Sequence, residues 1–290
     1  MTRLLVVSNP VSGQADRDRL DGIATRLESL GEVVVCEPST VDGFDQECRC
    51  AALDATVVVV AGGDGTMNRV VNALEARLSD LVLALVPMGT GNDLARTLGL
   101  PLDPIEATAA IEDGSARPID YGRATGRAVR RLFVNACMGG FPVAVDEAIE
   151  PDTKRRLGPA AFWIGGARAA LELERTRVWL DEIEVADCVA AGVGNGRTAG
   201  GGIEVWPGAA PDDGLLNGCA LGAPNRAAAA VLAAKVRRGA HEQLEGVATR
   251  VAPRIEIASD PPIEMNVDGE LVGLVTPATF EIAGSLRMRF

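Results

Sequence analysis

The sequence predicts an α/β domain built on a parallel sheet, followed by a second, mainly antiparallel β domain. Three observations carry that prediction. Short apolar runs alternate with stretches of helical period as far as residue 119. Several runs are unbroken, as in Val57-Val58-Val59-Val60, which is how a strand covered on both faces reads. From Ile119 onward the texture changes to short strands between turns. A chain of 290 residues is long enough for two cores, here residues 1–119 and 120–290.

In order, Leu4–Val7 is expected as a strand and Asp16–Leu30 as a helix. Glu32–Cys36 follows as a strand and Asp45–Leu53 as a helix. Then come the strand Thr56–Ala61, a helix near Met67–Ala76, the strand Leu81–Val86 and a helix from Asn92 to Leu98. Pro104–Asp113 is one more helix, ended by Gly114-Ser115, and Pro118 marks the switch between domains. The expected strands beyond it are Ala128–Asn135, Arg177–Leu180, Ile183–Val193, Gly218–Leu221, Arg254–Ala258, Ile263–Val267, Thr279–Ile282 and Leu286–Phe290. Two helical insertions interrupt them, near Pro159–Glu174 and Asn225–Gly239.

Three of the first strands run into polar turns: Ser8-Asn9-Pro10-Val11-Ser12-Gly13, Ala61-Gly62-Gly63-Asp64-Gly65-Thr66, and Pro87-Met88-Gly89-Thr90-Gly91-Asn92-Asp93. Open α/β sheets bind ligands at the carboxyl ends of their strands. Glycine lets backbone approach an anion closely, and the amides of a following helix can hold phosphate. Asp64 stands where a phosphate-bound cation would sit. Competing structural roles are plain for several of these residues. Thr66 reads equally as a helix N-cap, Asn9-Pro10 as a simple turn, and Asn92 or Asp93 as the cap of a helix beginning at Leu94.

Asn-Pro-x-Ser-Gly, Gly-Gly-Asp-Gly-Thr and Gly-Thr-Gly-Asn-Asp-Leu-Ala-Arg, in that order, resemble the catalytic region of the diacylglycerol kinases. The resemblance is to the short bacterial lipid kinases, related to sphingosine and ceramide kinases. It continues through Gly194-Asn195-Gly196-Arg197, Gly200-Gly201-Gly202, Asp212-Asp213-Gly214-Leu215-Leu216 and Asn266-Val267-Asp268-Gly269-Glu270. It therefore spans nearly the whole chain. It implies the NAD kinase/diacylglycerol kinase-like fold, with the active site in the interdomain cleft and the last residues packing back on the first domain. It implies transfer of the ATP γ-phosphate to a lipid hydroxyl, diacylglycerol or a related lipid, with Mg²⁺.

By that resemblance Gly62, Gly63, Asp64, Gly65, Thr66, Met67 and Asn68 line the ATP phosphates, with Gly89 and Thr90 from the next loop and Asn9 and Ser12 from the first. Asp64 also attends the cation. Glu270 is implied as the base that takes the lipid proton, and Asp268 as its helper in orientation or metal binding. A hairpin turn is the competing reading of Asp268-Gly269, since Asp-Gly is a strong hairpin signal. A structural Mg²⁺ is implied at the carbonyls of Ala210 and Leu215 and the carboxylate of Asp213. Hard oxygen donors in a loop leave Ca²⁺ open there too. Arg96 could pair with Asp93 or reach phosphate.

Composition excludes several classes. Lys and Arg number 28 against 40 Asp and Glu, so the net charge is −12. An acidic chain is a poor nucleic-acid binder. Lys154-Arg155-Arg156 and Lys235-Val236-Arg237-Arg238 read as solvated helix faces, with contact to lipid headgroups as the alternative. No signal peptide and no run long enough to span a bilayer is visible, so the expectation is a cytoplasmic enzyme transiently peripheral to the membrane. Six scattered cysteines and one histidine, His241, read as free thiols and no zinc site. A homodimer is among the expected assemblies. Two rival functions are NAD kinase, which shares the glycine loop, and a nucleotide-binding regulatory protein that has lost catalysis. Gly-Thr-Gly-Asn-Asp stands where an NAD kinase shows an Asn-Glu pair, which argues against the first.

Overall fold

The computed structural model describes residues 2–8, 14–38, 40, 42–140 and 176–290, with the backbone alone at 14–16. They form two compact units, Met1–Ile119 with Gly284–Phe290, and Asp120–Ala283.

The first unit alternates strand and helix: β1 (Arg3–Ser8), α1 (Gln14–Leu27), β2 (Glu32–Cys36), α2 (Phe44–Ala51), β3 (Val57–Gly62), α3 (Asp64–Ala73), β4 (Val82–Pro87), α4 (Asp93–Leu98) and α5 (Pro104–Asp113). Strand β1 pairs in parallel with β2 and β3, and β3 pairs in parallel with β4. The far end of the last strand, β17 (Ala278–Arg289), joins the other side of β4 in parallel through Arg287 and Met288. The unbroken valines of β3 are needed because both faces are covered. Val57 and Val59 pack with Leu20, Ile23 and Leu27 of α1 and Ala107 and Ile111 of α5. Val58 and Val60, on the other face, are fully buried. Each such side chain contributes about 1.5–3 kcal/mol on leaving water. Strand β2 is the edge, so its equally apolar Val34 and Val35 stay exposed.

In the second unit the pairings that follow are antiparallel. From Asp120 onward β5 (Ala116–Thr125) pairs with β6 (Arg130–Phe133). The main order is β16 (Glu270–Val275), β15 (Glu264–Val267), β7 (Ala136–Gly140), β9 (Ile183–Gly194), β8 (Thr176–Leu180), β14 (Arg254–Asp260) and the first half of β17. Strand β12 (Leu216–Gly222) pairs with β9 and with β13 (Val247–Ala252), and β10 (Thr198–Ala199) with β11 (Ile203–Glu204) forms a small hairpin. One face packs Phe133, Val178, Val193, Ile255, Met265 and Phe280 into a core. On another, α6 (Arg226–Val236) lays Leu232 and Val236 against Met138, Trp206, Cys219 and Leu221.

The predicted fold class is the observed one. The individual elements differ in places. Strands β5, β7, β10, β11, β13 and β16 were not expected. Pro118 lies near the start of β5, where a missing amide is tolerated, beside the division between the units at Ile119 and Asp120. Strands β7 and β16 carry glycines and β13 alternates with polar residues, so none reads as a continuous apolar run. Thr279–Ile282 and Leu286–Phe290 belong to one strand, which Ala283-Gly284-Ser285 does not interrupt. The helical insertion expected near Pro159–Glu174 lies outside the described residues.

Candidate active site

The turn after β3 places its glycines where the chain has least room. A Cβ on Gly62 would lie 2.6 Å from the Thr66 hydroxyl oxygen, and one on Gly89 would lie 2.6 Å from the Gly63 Cα. The two glycine-rich turns, one after β3 and one after β4, therefore meet backbone to backbone. The Met88 amide donates to the Gly62 carbonyl at 3.0 Å and closes the same junction. Asn92 completes the second turn. It adopts a left-handed conformation (φ 51°), its Oδ1 accepts the Gly89 amide at 2.9 Å, and its Nδ2 donates to the Gly89 carbonyl at 2.7 Å. Thr90 stands exposed at the tip.

Helix α3 begins at Asp64 with Gly63 as its N-cap residue, and its first internal bond runs from the Met67 amide to the Gly63 carbonyl. The amides of Gly65 and Thr66 thus belong to the first turn, which has no intrahelical partners. Thr66 is inside that turn and is not the cap, a correction to one reading of the sequence. The side chains of Met67 and Asn68 are buried, so of these two the backbone alone is at hand for a phosphate. Asn68 serves the helix interior, where its Oδ1 and carbonyl accept from Asn72.

Asp64 does something the sequence does not announce. Its Oδ2 accepts the Asp93 amide and its Oδ1 the Leu94 amide, both at 2.9 Å. Asp64 is therefore a cap of α4, and Asn92, at the N-cap position, makes no side-chain cap bond to that helix. A negative charge on these amides is favoured by the helix dipole as well as by the hydrogen bonds. Two helix N-termini stand side by side as a result. That of α4 is satisfied by the protein's own carboxylate, and that of α3 presents its first-turn amides. Arg96, on α4, folds back so that its Nε donates to the Gly91 carbonyl at 3.1 Å.

The second carboxylate pair sits at the β15–β16 hairpin. Val267 pairs with Glu270, and the two residues between them, Asp268 (φ 48°) and Gly269 (φ 85°), are both left-handed, the signature of a tight two-residue turn. Asp268 is 5% exposed and its carboxylate accepts three amides, from Val134 at 2.8 Å, Asn135 at 2.9 Å and Ala136 at 2.8 Å. Its own amide donates to the Ala136 carbonyl at 2.8 Å. The turn is thereby bolted to the start of β7. Glu270, two residues on, is exposed.

The same junction is held from the other side by Asn195. Its Nδ2 donates to the Val134 carbonyl at 2.8 Å and to the Asp120 carbonyl at 2.9 Å, and the Asn195 and Gly196 amides donate to the Asn135 carbonyl. Asn135 in turn donates to the Thr198 carbonyl at 2.9 Å.

Ala210, Asp213 and Leu215 lie on a loop closed by Asp120, a residue the sequence did not single out. The Gly214 amide donates to Asp120 Oδ2 at 2.7 Å, the Asp120 amide donates to the Pro211 carbonyl at 2.6 Å, and the Leu215 amide donates to Asp213 Oδ1 at 2.9 Å. Burial raises the pKa of Asp120, the Gly214 amide opposes that rise, and the carboxylates of Asp213 and Asp212 add to it. Asp120, Asp212 and Asp213 gather carboxylate oxygen at this loop, the donor type that suits a hard divalent cation. Among the described residues, no group of three or more His, Cys, Asp or Glu side chains converges tightly enough to hold a metal by itself. Carbonyls would have to complete such a site. Asn9 and Ser12 lie outside the described residues.

Residues 3–124 match the diacylglycerol kinase catalytic domain, and residues 136–288 match the YegS C-terminal NAD kinase beta sandwich-like domain. A protein from Stenotrophomonas maltophilia described as a probable lipid kinase YegS-like is 37% identical over 241 residues, 80% of this chain and 78% of that one. A protein of the same description from Xanthomonas oryzae pv. oryzae is 35% identical over 275 residues, 92% of this chain and 88% of that one. Among solved structures, one from Bacillus anthracis described as a diacylglycerol kinase matches with a TM-score of 0.70 at 23% identity, covering 99% of this chain and 96% of that one. At that identity the likeness speaks for the fold.

Proposed function

The chain belongs to the lipid kinases built on a diacylglycerol kinase catalytic domain, and from that premise we propose that it transfers the γ-phosphate of ATP to the hydroxyl of diacylglycerol or a related lipid. The observation that carries the reading is the pairing of the two glycine turns with Asp64. Because Asp64 satisfies the N-terminus of α4, the amides of Gly65 and Thr66 at the start of α3 are the ones left to hold a phosphate. The absence of side-chain bulk at Gly62, Gly63 and Gly89 lets the two turns close against each other and holds those amides in place, and Thr90 adds a hydroxyl donor.

Glu270 takes the proton of the acceptor hydroxyl. It is exposed, as a base that meets an incoming substrate must be, and Asp268 fixes its position by anchoring the turn. Asp268 is in this reading a positioning residue. Mg²⁺, when bound, neutralises charge on the transferring phosphate. Asp64 and Asp93 are the carboxylates at hand near the glycine turns, and Asp213 with the carbonyls of Ala210 and Leu215 would hold a structural ion in the second unit. No helix of the described residues is long and apolar enough to cross a membrane.

The test is transfer of labelled γ-phosphate from ATP, with Mg²⁺, to diacylglycerol, phosphatidylglycerol, sphingosine and ceramide in mixed micelles, with NAD in a parallel reaction. A labelled lipid names the acceptor. Labelled NADP, or ATP binding without any product, would overturn the reading.

A further inference from the structure

We propose that α6, with the turn that follows it, is the surface by which this protein docks on an anionic bilayer. The proposal rests on the lipid-kinase reading for its biological purpose, but the surface itself is argued from charge and exposure. Between Arg226 and His241 the chain carries Arg226, Lys235, Arg237 and Arg238 and no acidic residue. All four basic side chains are exposed. This in a protein of net charge −12 makes α6 a local reversal of sign. Anionic lipid is the partner whose charge complements it. Acidic groups adjoin the patch at its C-terminal end: Glu204 stands beside Gly239, and Glu242 and Glu245 follow in the sequence. Helix α6 itself carries no acidic residue.

Between the charges the outward face is apolar. Val231 is 52% exposed and stands one turn from Lys235 on that face, with Arg238 in the turn just beyond the helix. Long basic side chains flanking an apolar residue are the arrangement by which interfacial helices sit at the headgroup level, with the stems on the apolar surface and the charges among phosphates. A recess lined by Ala234, Arg237 and Arg238 adjoins the same end of the helix.

The inward face of the helix is buried. Leu232 and Val236 belong to the cluster that also holds Ala136 and Met138 of β7, and the Ala136 amide is one of the three held by Asp268. Docking through α6 therefore engages the same core layer as the strand to which the Glu270 turn is bolted.

The experiment is flotation of the full chain with vesicles, without ATP. Wild type is expected to float with phosphatidylcholine vesicles containing phosphatidylglycerol, to stay behind with phosphatidylcholine alone, and to be released by raised salt. Lys235→Gln with Arg238→Gln should lower partitioning about 25-fold, at about fivefold per basic residue removed. Val231→Asp should lower it as well. Turnover of a monomeric short-chain acceptor should be unchanged in these variants, while turnover of a vesicle-embedded acceptor falls through apparent KM. Equal flotation of the double variant and wild type, or equal binding to neutral vesicles, would overturn the proposal. So would a dimer that Val231→Asp converts to monomer in a protein that binds no vesicle, since a second copy would then be what covers the helix. Vesicle binding lost in the double variant, with no lipid phosphorylated by wild type, would sustain the docking surface and remove the kinase reading.

Discussion

The carboxylate of Asp64 accepts the backbone amide of Leu94 at 2.9 Å, across 30 residues of sequence. One bond of this kind, with its twin to Asp93, ties the turn after β3 to the helix after β4. The glycine-rich motif is thus also a latch between two loops, and its aspartate has a structural task before any chemistry begins.

Asp64→Ala should therefore do two things. Uncapping α4 costs about 1–2 kcal/mol, which lowers the melting temperature by about 2–8 °C for a chain of this size. Loss of the loop junction should also raise the apparent KM for ATP. Thermal unfolding followed by circular dichroism, beside the labelled-phosphate assay, checks both. An unchanged melting temperature would refute the capping role.

Asp268 and Glu270 should separate cleanly. Removing a buried carboxylate that accepts three amides strands those donors, so Asp268→Ala should destabilise by about 3 kcal/mol or more. Glu270→Gln changes an exposed side chain and should alter stability by no more than about 0.5 kcal/mol, while phosphate transfer falls by about a hundredfold or more. Urea denaturation and turnover, measured on both variants, decide it. Near wild-type turnover in Glu270→Gln would remove the base assignment.

Gly89→Ala should be costly because its Cβ would stand 2.6 Å from the Gly63 Cα, so the two turns must part. Gly208→Ala meets nothing within 4 Å and serves as the control. The first variant should bind a fluorescent ATP analogue more weakly, and the second should match wild type. Equal affinity in the two would mean that the close approach does not matter for the nucleotide.

His241 makes stability depend on pH. It is fully buried, its Nε2 bonds to the Val205 carbonyl at 3.0 Å, and its Nδ1 is buried without a partner. Burial lowers its pKa, against a rise from the Val205 carbonyl and the nearby Glu242 carboxylate. Below the ordinary value of 6.5 the unfolded chain takes up the proton while the folded one resists it. Stability is then fully present above pH 6.5 and falls as the pH drops toward the depressed folded value, by up to about 1.4 kcal/mol per pH unit. Urea denaturation on either side of that point should show the slope in wild type. His241→Gln, which can keep a donor toward Val205, should lose this contribution. A slope unchanged in the variant would place the titration elsewhere.

Legibility differed by kind of residue. Asn9 and Ser12 apart, each turn that the motifs pointed to is a turn in the structure, and Glu270 and Thr90 are as exposed as reactive or ligand-facing groups need to be. Asp120 was missed because an isolated aspartate near a proline has no motif around it. It matters through the Gly214 amide, 94 residues away. Asn195 stood within a recognised motif, yet its bonds to Val134 and Asp120 could not be inferred from it.

The sequence by itself determined the parallel sheet, the antiparallel second half and the places where glycine turns interrupt strands. These follow from hydrophobic period and from the backbone freedom of glycine, both of which are local. Only the tertiary structure decided what the aspartates do. Asp64 and Asp268 look alike in sequence, each beside a glycine at a turn. Folding turns one into the cap of a distant helix and the other into a buried anchor for three amides. The reason is that a carboxylate takes its role from the donors brought to it, and those donors come from parts of the chain that no local pattern records.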